Sequence, residues 1–137
     1  MADKPRILLI SGNGQVGHAL RQVFDAAGYP VSGTWFDVED DSLIHADVRD
    51  RQELESVFKS TRPQVTVINA ALTNVDRCEE QPQLAAAINV EGTRNVADLC
   101  NAYGSRIVFF SSEYVFDGEA GPYTEDDPVN PINEYGR

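Results

Sequence analysis

The sequence predicts the α/β class, a doubly wound parallel sheet with helices on both faces. Three observations carry this. Short apolar runs of strand length alternate with segments of helical period, from one end of the chain to the other. Runs such as RILLI (6–10) and RIVFF (106–110) are continuously apolar rather than alternating, as strands covered on both faces are. A glycine-rich turn joins the first strand to the first helix. Right-handed crossovers between such strands leave few arrangements other than a parallel sheet.

The first strand is 6–10. After the glycines, Val16, Leu20, Val23, Phe24 and Ala27 recur at helical spacing as an inner face, and Gly28 supplies the stop. Residues 31–36 form the second strand and 43–46 a short third. Asp50 followed by Glu53 makes a capping-box-like start for a helix that turns Leu54, Val57 and Phe58 inward, and Pro63 ends it. Residues 65–71 are the fourth strand. Pro82 suits the first turn of a long helix with Leu84, Ile88, Val96, Leu99, Cys100 and Tyr103 inside and Gly104 as its stop. Residues 106–110 make the fifth strand. The stretch 117–131, acidic and rich in Pro and Gly, is loop. There is no internal repeat.

Composition bounds the function. The 137 residues suit one domain, and 42% hydrophobic with 24% charged residues is globular composition. No apolar run approaches the roughly 20 residues of a membrane span. The opening MADKPRILLI lacks a small-residue cleavage site, so it is not read as a secretory signal. Two cysteines, Cys78 and Cys100, make no disulfide scaffold, and no CxxC pair or histidine cluster suggests a metal. A reducing cytoplasm is the expected compartment. Eleven basic against 22 acidic residues leave −11, a field that repels nucleic acid and anionic membranes. An anionic ligand must then be held by local backbone donors.

The segment Ser11-Gly12-Asn13-Gly14-Gln15-Val16-Gly17 offers such donors. Gly12 and Gly14 clear side chains where a pyrophosphate must approach backbone, and Gly17 lets helix and strand pack closely. The helix N-terminus adds free N–H groups and partial positive charge. A Rossmann-like dinucleotide fold is therefore expected. Asp37, 20 residues beyond Gly17, can accept from the adenosine ribose hydroxyls and would repel a 2′-phosphate. No Arg or Lys lies between positions 31 and 45, so the expectation leans to NAD over NADP. Asp47 and Val48 can meet the adenine, and small Asn69, Ala70 and Ala71 let a cofactor pass the carboxyl edge of the sheet. His18 and His45 are expected to be structural.

These residues resemble the extended short-chain dehydrogenase/reductases, and among them the dTDP-4-dehydrorhamnose reductases. The resemblance runs from residue 6 to the last. It rests, in order, on the glycine turn, Asp47-Val48, VINAALTNVDRCE (67–79), INVEGTRNVA (88–97), SSEYVFDG (111–118) and PINEYGR (131–137). It implies that Asn89 supports the active-site end of the fourth helix, that Ser112 is the catalytic Ser/Thr, and that Tyr135 is the tyrosine of a YxxxK pair. The implied chemistry is hydride transfer from NAD(P)H to the 4-keto group of a sugar nucleotide, with a proton from the tyrosine. Where the family has GxxGxxG, Ser11 stands at the first glycine.

Hydride addition to a ketone builds negative charge on oxygen, so a donor must stand close by. A free phenol ionises near pH ~10, so a neighbouring cation is needed. The family's lysine would fall at position 139, and the chain ends at Arg137. The expectation is one dinucleotide-binding domain (1–137), incomplete at its C-terminus, lacking the sugar-nucleotide-binding part and inactive alone. A homodimer is possible under the resemblance. A 4,6-dehydratase is disfavoured because Glu113-Tyr114 replaces that class's Asp-Glu pair. A sugar-nucleotide epimerase remains open. So does an NADP-binding regulatory subunit like that of methionine adenosyltransferase, although Asp37 disfavours it.

Overall fold

The computed structural model describes residues 4–137. Five parallel strands, β1 (Ile7–Ile10), β2 (Val31–Trp35), β3 (Ile44–His45), β4 (Val65–Ile68) and β5 (Arg106–Phe109), lie in the order β3-β2-β1-β4-β5. The chain winds outward to β3, then returns to lay β4 on the other side of β1. The carboxyl ends of β1 and β4 therefore flank the point where the winding reverses, which is where doubly wound sheets hold ligands.

Alternation along β1 divides the core in two. Ile7 and Leu9 join Val67 on one face, under Leu20 and Phe24 of helix α1 (Gln15–Ala26). Leu8, Ile10 and Ile68 lie on the other. There they meet Leu54, Val57 and Phe58 of α2 (Arg51–Thr61) and Val96, Leu99 and Cys100 of α5 (Thr93–Tyr103). All four β1 residues are buried, and each such aliphatic side chain contributes about 1.5–3 kcal/mol. By contrast β5, at the edge of the sheet, exposes all four of its residues.

Several elements differ from the sequence expectation. In α1, Val16 and Val23 are 46% and 63% exposed. The helix presents only a narrow stripe to the sheet, with Gly17 as its buried residue and Leu20 and Phe24 packed on the core. Asp50 caps α2 as expected, accepting from the N–H groups of Gln52 and Glu53 at 2.8 and 3.1 Å. Glu53, however, accepts from Asp47 N–H at 2.9 Å rather than closing a box on Asp50. Residues 72–81, unassigned in the sequence, contain α3 (Val75–Glu80), capped by Asn74, whose side chain accepts from Arg77 N–H at 2.8 Å. The long helix that begins at Pro82 runs as α4 (Pro82–Ala85), a π-helical segment (Ala86–Gly92) and α5, ending at left-handed Gly104. Its Leu84 and Ile88 line a cleft instead of joining the core.

Residues 117–131 form no helix or strand, as expected. Asp117 organises them, accepting from the Tyr123 hydroxyl, Glu119 N–H (3.0 Å) and Asn130 Nδ2 (2.9 Å). The Tyr123 hydroxyl above all holds its carboxyl down at about 2. Phe116 and Tyr123 stack in parallel at 4.5 Å. No helix among the described residues is long and apolar enough to cross a membrane.

Candidate functional site

The turn after β1 is fastened to β2. Ser11 N–H donates to Thr34 Oγ1 (3.0 Å) and Gly12 N–H to Thr34 O (2.7 Å). A Cβ on Gly12 would stand 3.3 Å from Gly33 Cα, and one on Gly33 would stand 2.9 Å from Leu43 Cδ2. A Cβ on Gly17 would lie 2.1 Å from Ser11 O, so no side chain fits there. Ser11 itself sits at φ 77°, the left-handed region that glycine favours. The turn thus keeps the backbone course of a leading glycine although serine stands in its place. The first backbone bond reaching back to the helix start is His18 N–H to Gly14 O at 2.8 Å, so the first-turn N–H groups of Gln15, Val16 and Gly17 precede it. With no side-chain cap on Gly14, the terminus is open to an anion.

One cleft, of about 300 Å³, opens beside this turn. Ser11, Asn13, Asp37, Asp47, Val48, Ala70 and Ala71 line it, so the structure brings together most of the residues the sequence singled out for the adenosine side. Asp37 is exposed. Asp47 is held by Arg49, whose Nε lies 2.9 and 3.0 Å from the two carboxylate oxygens and whose Nη2 lies 2.6 Å from Oδ2. That guanidinium holds the Asp47 carboxyl below the usual carboxylate range. Arg49 also stacks on Phe36, 5.3 Å from the ring centroid. Arg77 reaches the same cleft from α3. The absence of cations between positions 31 and 45 therefore does not leave this end without them. Arg49 and Arg77 come from the connection after β3 and from α3, beyond any window drawn around β2. Val48 is fixed by α5 and the π-helical segment before it: its carbonyl accepts from Asn95 Nδ2 at 3.1 Å, and a Cβ on Gly92 would strike its Cγ2 at 2.6 Å.

A second cleft, of about 460 Å³, shares Ala70 and Ala71 with the first and continues across the sheet edge to Asn69, Asn89, Ser112 and Tyr135. Asn69 Nδ2 donates to Ser11 O at 2.7 Å, while its buried Oδ1 has no partner. A buried acceptor of this kind costs about 1–3 kcal/mol when unmatched. Asn89 clamps the loop after β4, accepting from Leu72 N–H (2.8 Å) and donating to Leu72 O (3.0 Å). Its amide is thus engaged by backbone. The π-helical segment that carries Asn89 sets this direction, and such segments often occur at functional sites.

Ser112 is half-buried and caps the short 3₁₀ turn Glu113–Val115, accepting from Tyr114 N–H at 3.3 Å. Tyr135 is half-buried, with its ring edge-to-face on Tyr114 at 5.4 Å. Both line the second cleft, as does Arg137, which pairs with Glu134. His45 pairs with Glu53 at 3.4 Å and His18 contacts Gln22, both away from the two clefts.

A nicotinamide dinucleotide fits what is built here: an open helix start, a turn without Cβ atoms at Gly12, Gly14 and Gly17, an orphaned acceptor and two adjoining clefts. The match to known proteins agrees. Residues 5–137 match the model of the RmlD substrate binding domain. The chain belongs to that family. It is 37% identical over 134 residues to a dTDP-4-dehydrorhamnose reductase of Streptomyces griseus, covering 97% of this chain and 42% of that one. It is 31% identical to methionine adenosyltransferase 2 subunit beta of Rattus norvegicus, covering 96% of this chain and 40% of that one. Among solved structures, it superposes on dTDP-4-dehydrorhamnose reductase from Bacillus anthracis in complex with NADP with a TM-score of 0.84. That pair is 32% identical, covering 97% of this chain and 45% of that one. UDP-glucose 4-epimerase of Thermus thermophilus in complex with NAD gives a TM-score of 0.87 at 25% identity, covering 96% and 46%. The chain spans less than half the length of these relatives.

Proposed function

We propose that the joined clefts hold a nicotinamide dinucleotide, and that the longer protein containing this chain reduces the 4-keto group of a dTDP-4-keto-6-deoxyhexose. One observation carries the reading: two clefts that share Ala70 and Ala71 lie along the carboxyl edge of the sheet, with the open α1 start beside them and Ser112 with Tyr135 lining the second. The N–H groups of Gln15, Val16 and Gly17 would hold the pyrophosphate, which needs no lysine in a chain of charge −11. Asp37 would take the adenosine ribose hydroxyls, which favours NAD, while Arg49 and Arg77 add positive charge at the same end. Val48 would press on the adenine, and Asn69 Oδ1 would accept from a hydroxyl.

A nicotinamide held in these clefts would supply the hydride. Tyr135 would then give its hydroxyl proton to the carbonyl oxygen on which charge collects, with the Ser112 hydroxyl donating to that oxygen. The two lysines, Lys4 and Lys59, contact Ala27 O and Glu55, far in sequence from Tyr135. We therefore propose that these 137 residues bind the dinucleotide without turning it over. The methionine adenosyltransferase subunit reading would need no donor pair in the cleft, and the joint placement of Ser112 and Tyr135 favours the reductase.

Titration of the chain with NADH and NADPH, followed by nicotinamide fluorescence, tests the site. Saturable binding is expected, tighter for NADH, and lost in Gly14→Leu. Unchanged affinity in that variant would refute the assignment. For the longer protein, absence of NAD(P)H oxidation with dTDP-4-keto-6-deoxyhexoses would end the reductase reading.

A further inference from the structure

We propose that Glu79, on α3, is a positioning residue for Tyr135. This rests on the reading that Tyr135 delivers the proton. Tyr135 is half-buried, and a proton donor must be held to within a fraction of an ångström of its target. Three contacts supply that restraint. Glu79 Oε1 accepts from Glu134 N–H at 2.7 Å, across 55 residues of sequence. Asn133 Oδ1 accepts from Gly136 N–H at 2.8 Å. Gly136 is pressed so closely on Tyr114 that a Cβ there would lie 2.1 Å from the Tyr114 carbonyl.

The second and third contacts are local to the 114 and 131–137 segments, which could move together. The Glu79 bond ties them to the helices packed around the sheet. Its donor is the amide immediately before Tyr135, so losing it frees the backbone at the ring's own Cα. A carboxylate acceptor makes a shorter and roughly twofold stronger bond than a neutral one. Asn74 caps α3 and Cys78 is fully buried, so the platform on which Glu79 stands is itself fixed. The Arg137 guanidinium pairs with the Glu134 side chain rather than with Glu79.

The test has two arms. In the 137-residue chain, NMR reads amide exchange at Glu134 and the cross-relaxation between the Tyr114 and Tyr135 rings. Glu79→Ala should speed that exchange about tenfold, the equivalent of one hydrogen bond, and weaken the ring contact. Glu79→Gln, whose amide oxygen still accepts, should preserve both. Unchanged exchange in Glu79→Ala overturns the proposal. In the longer protein, Glu79→Ala should lower kcat by about 10–100-fold while dinucleotide Kd stays unchanged, and Glu79→Gln should recover most of the rate. Equal losses in both variants, or a Kd that rises in step with the loss of kcat, would make the residue merely structural and overturn it. If the longer wild-type protein turns over no keto sugar, the reductase reading falls. The exchange arm still decides whether Glu79 holds Tyr135.

Discussion

The two ends of the cleft are built differently. Around the glycine turn, backbone lies on backbone: Gly12 against Gly33 and Gly17 against Ser11, at the end of the central, buried strand β1. Around Tyr135, the walls are side chains and loops, and the adjoining strand β5 is exposed along its whole length. The first end is tightest at Gly17, where every near neighbour of an added Cβ is main chain and cannot turn aside. The second is held by individual hydrogen bonds, each replaceable and each of modest strength. A ligand anchored at the first end and chemistry placed at the second would divide binding from reactivity along the same groove.

Substitutions should expose this contrast. The largest effect is expected for Gly17→Ala, whose Cβ would overlap Ser11 O at 2.1 Å and Gly12 Cα at 2.8 Å. It should cost about 3 kcal/mol in urea unfolding and abolish dinucleotide binding. A stable, binding-competent Gly17→Ala protein would show that the turn is softer than its packing implies. Next comes Asn89→Ala, which strands both polar groups of Leu72. About 1–3 kcal/mol should be lost in the same measurement. Because Leu72 lines the first cleft and Asn89 the second, the drop in dinucleotide affinity should be partial.

Acid should act on the Tyr135 end before it reaches β1. The Asp117 carboxyl titrates at about 2, below its ordinary 3.8, so the fold favours its ionised form. That contribution is present above pH 3.8 and is lost as pH falls toward 2. NMR should show the Phe116–Tyr123 stacking released across that window while the β1 amides stay protected. Asp117→Asn should remove the transition. Simultaneous loss of both regions would erase the distinction between them. The smallest effect carries the opposite sign. Ser11→Gly relieves a left-handed φ of 77° and should stabilise the protein by about 1 kcal/mol, seen as a higher urea midpoint.

The same contrast governs what could be read from sequence. The turn, its helix and the strands beside it are local, and the strand-turn-helix context identifies them. Ser11 already marked a departure from the family pattern, and the structure shows how the backbone absorbs it. Gly33, a lone glycine inside a strand, was a readable sign of close backbone approach. Arg49, Arg77 and Glu79 act on partners brought near only by folding, so no spacing rule announces them. The runs RILLI and RIVFF look alike in sequence, yet one is central and the other lies at the edge. Strand order decides that, and strand order is not a local property. Val23 faces outward because α1 covers less of the sheet than its apolar pattern suggests.

The Ser11 side chain has one more consequence, and it is epistatic. The nearest atom to a Cβ on Gly14 is Ser11 Oγ at 3.0 Å, and the next, Ser11 O, is at an ordinary 3.5 Å. Gly14 itself has φ −66°, which any residue can adopt. The requirement for glycine at 14 during folding is therefore imposed by its neighbour, not by the backbone. Once position 11 is glycine, alanine at 14 loses its one tight contact, so the Ser11 hydroxyl no longer has to turn aside and the cost of the substitution for folding should fall.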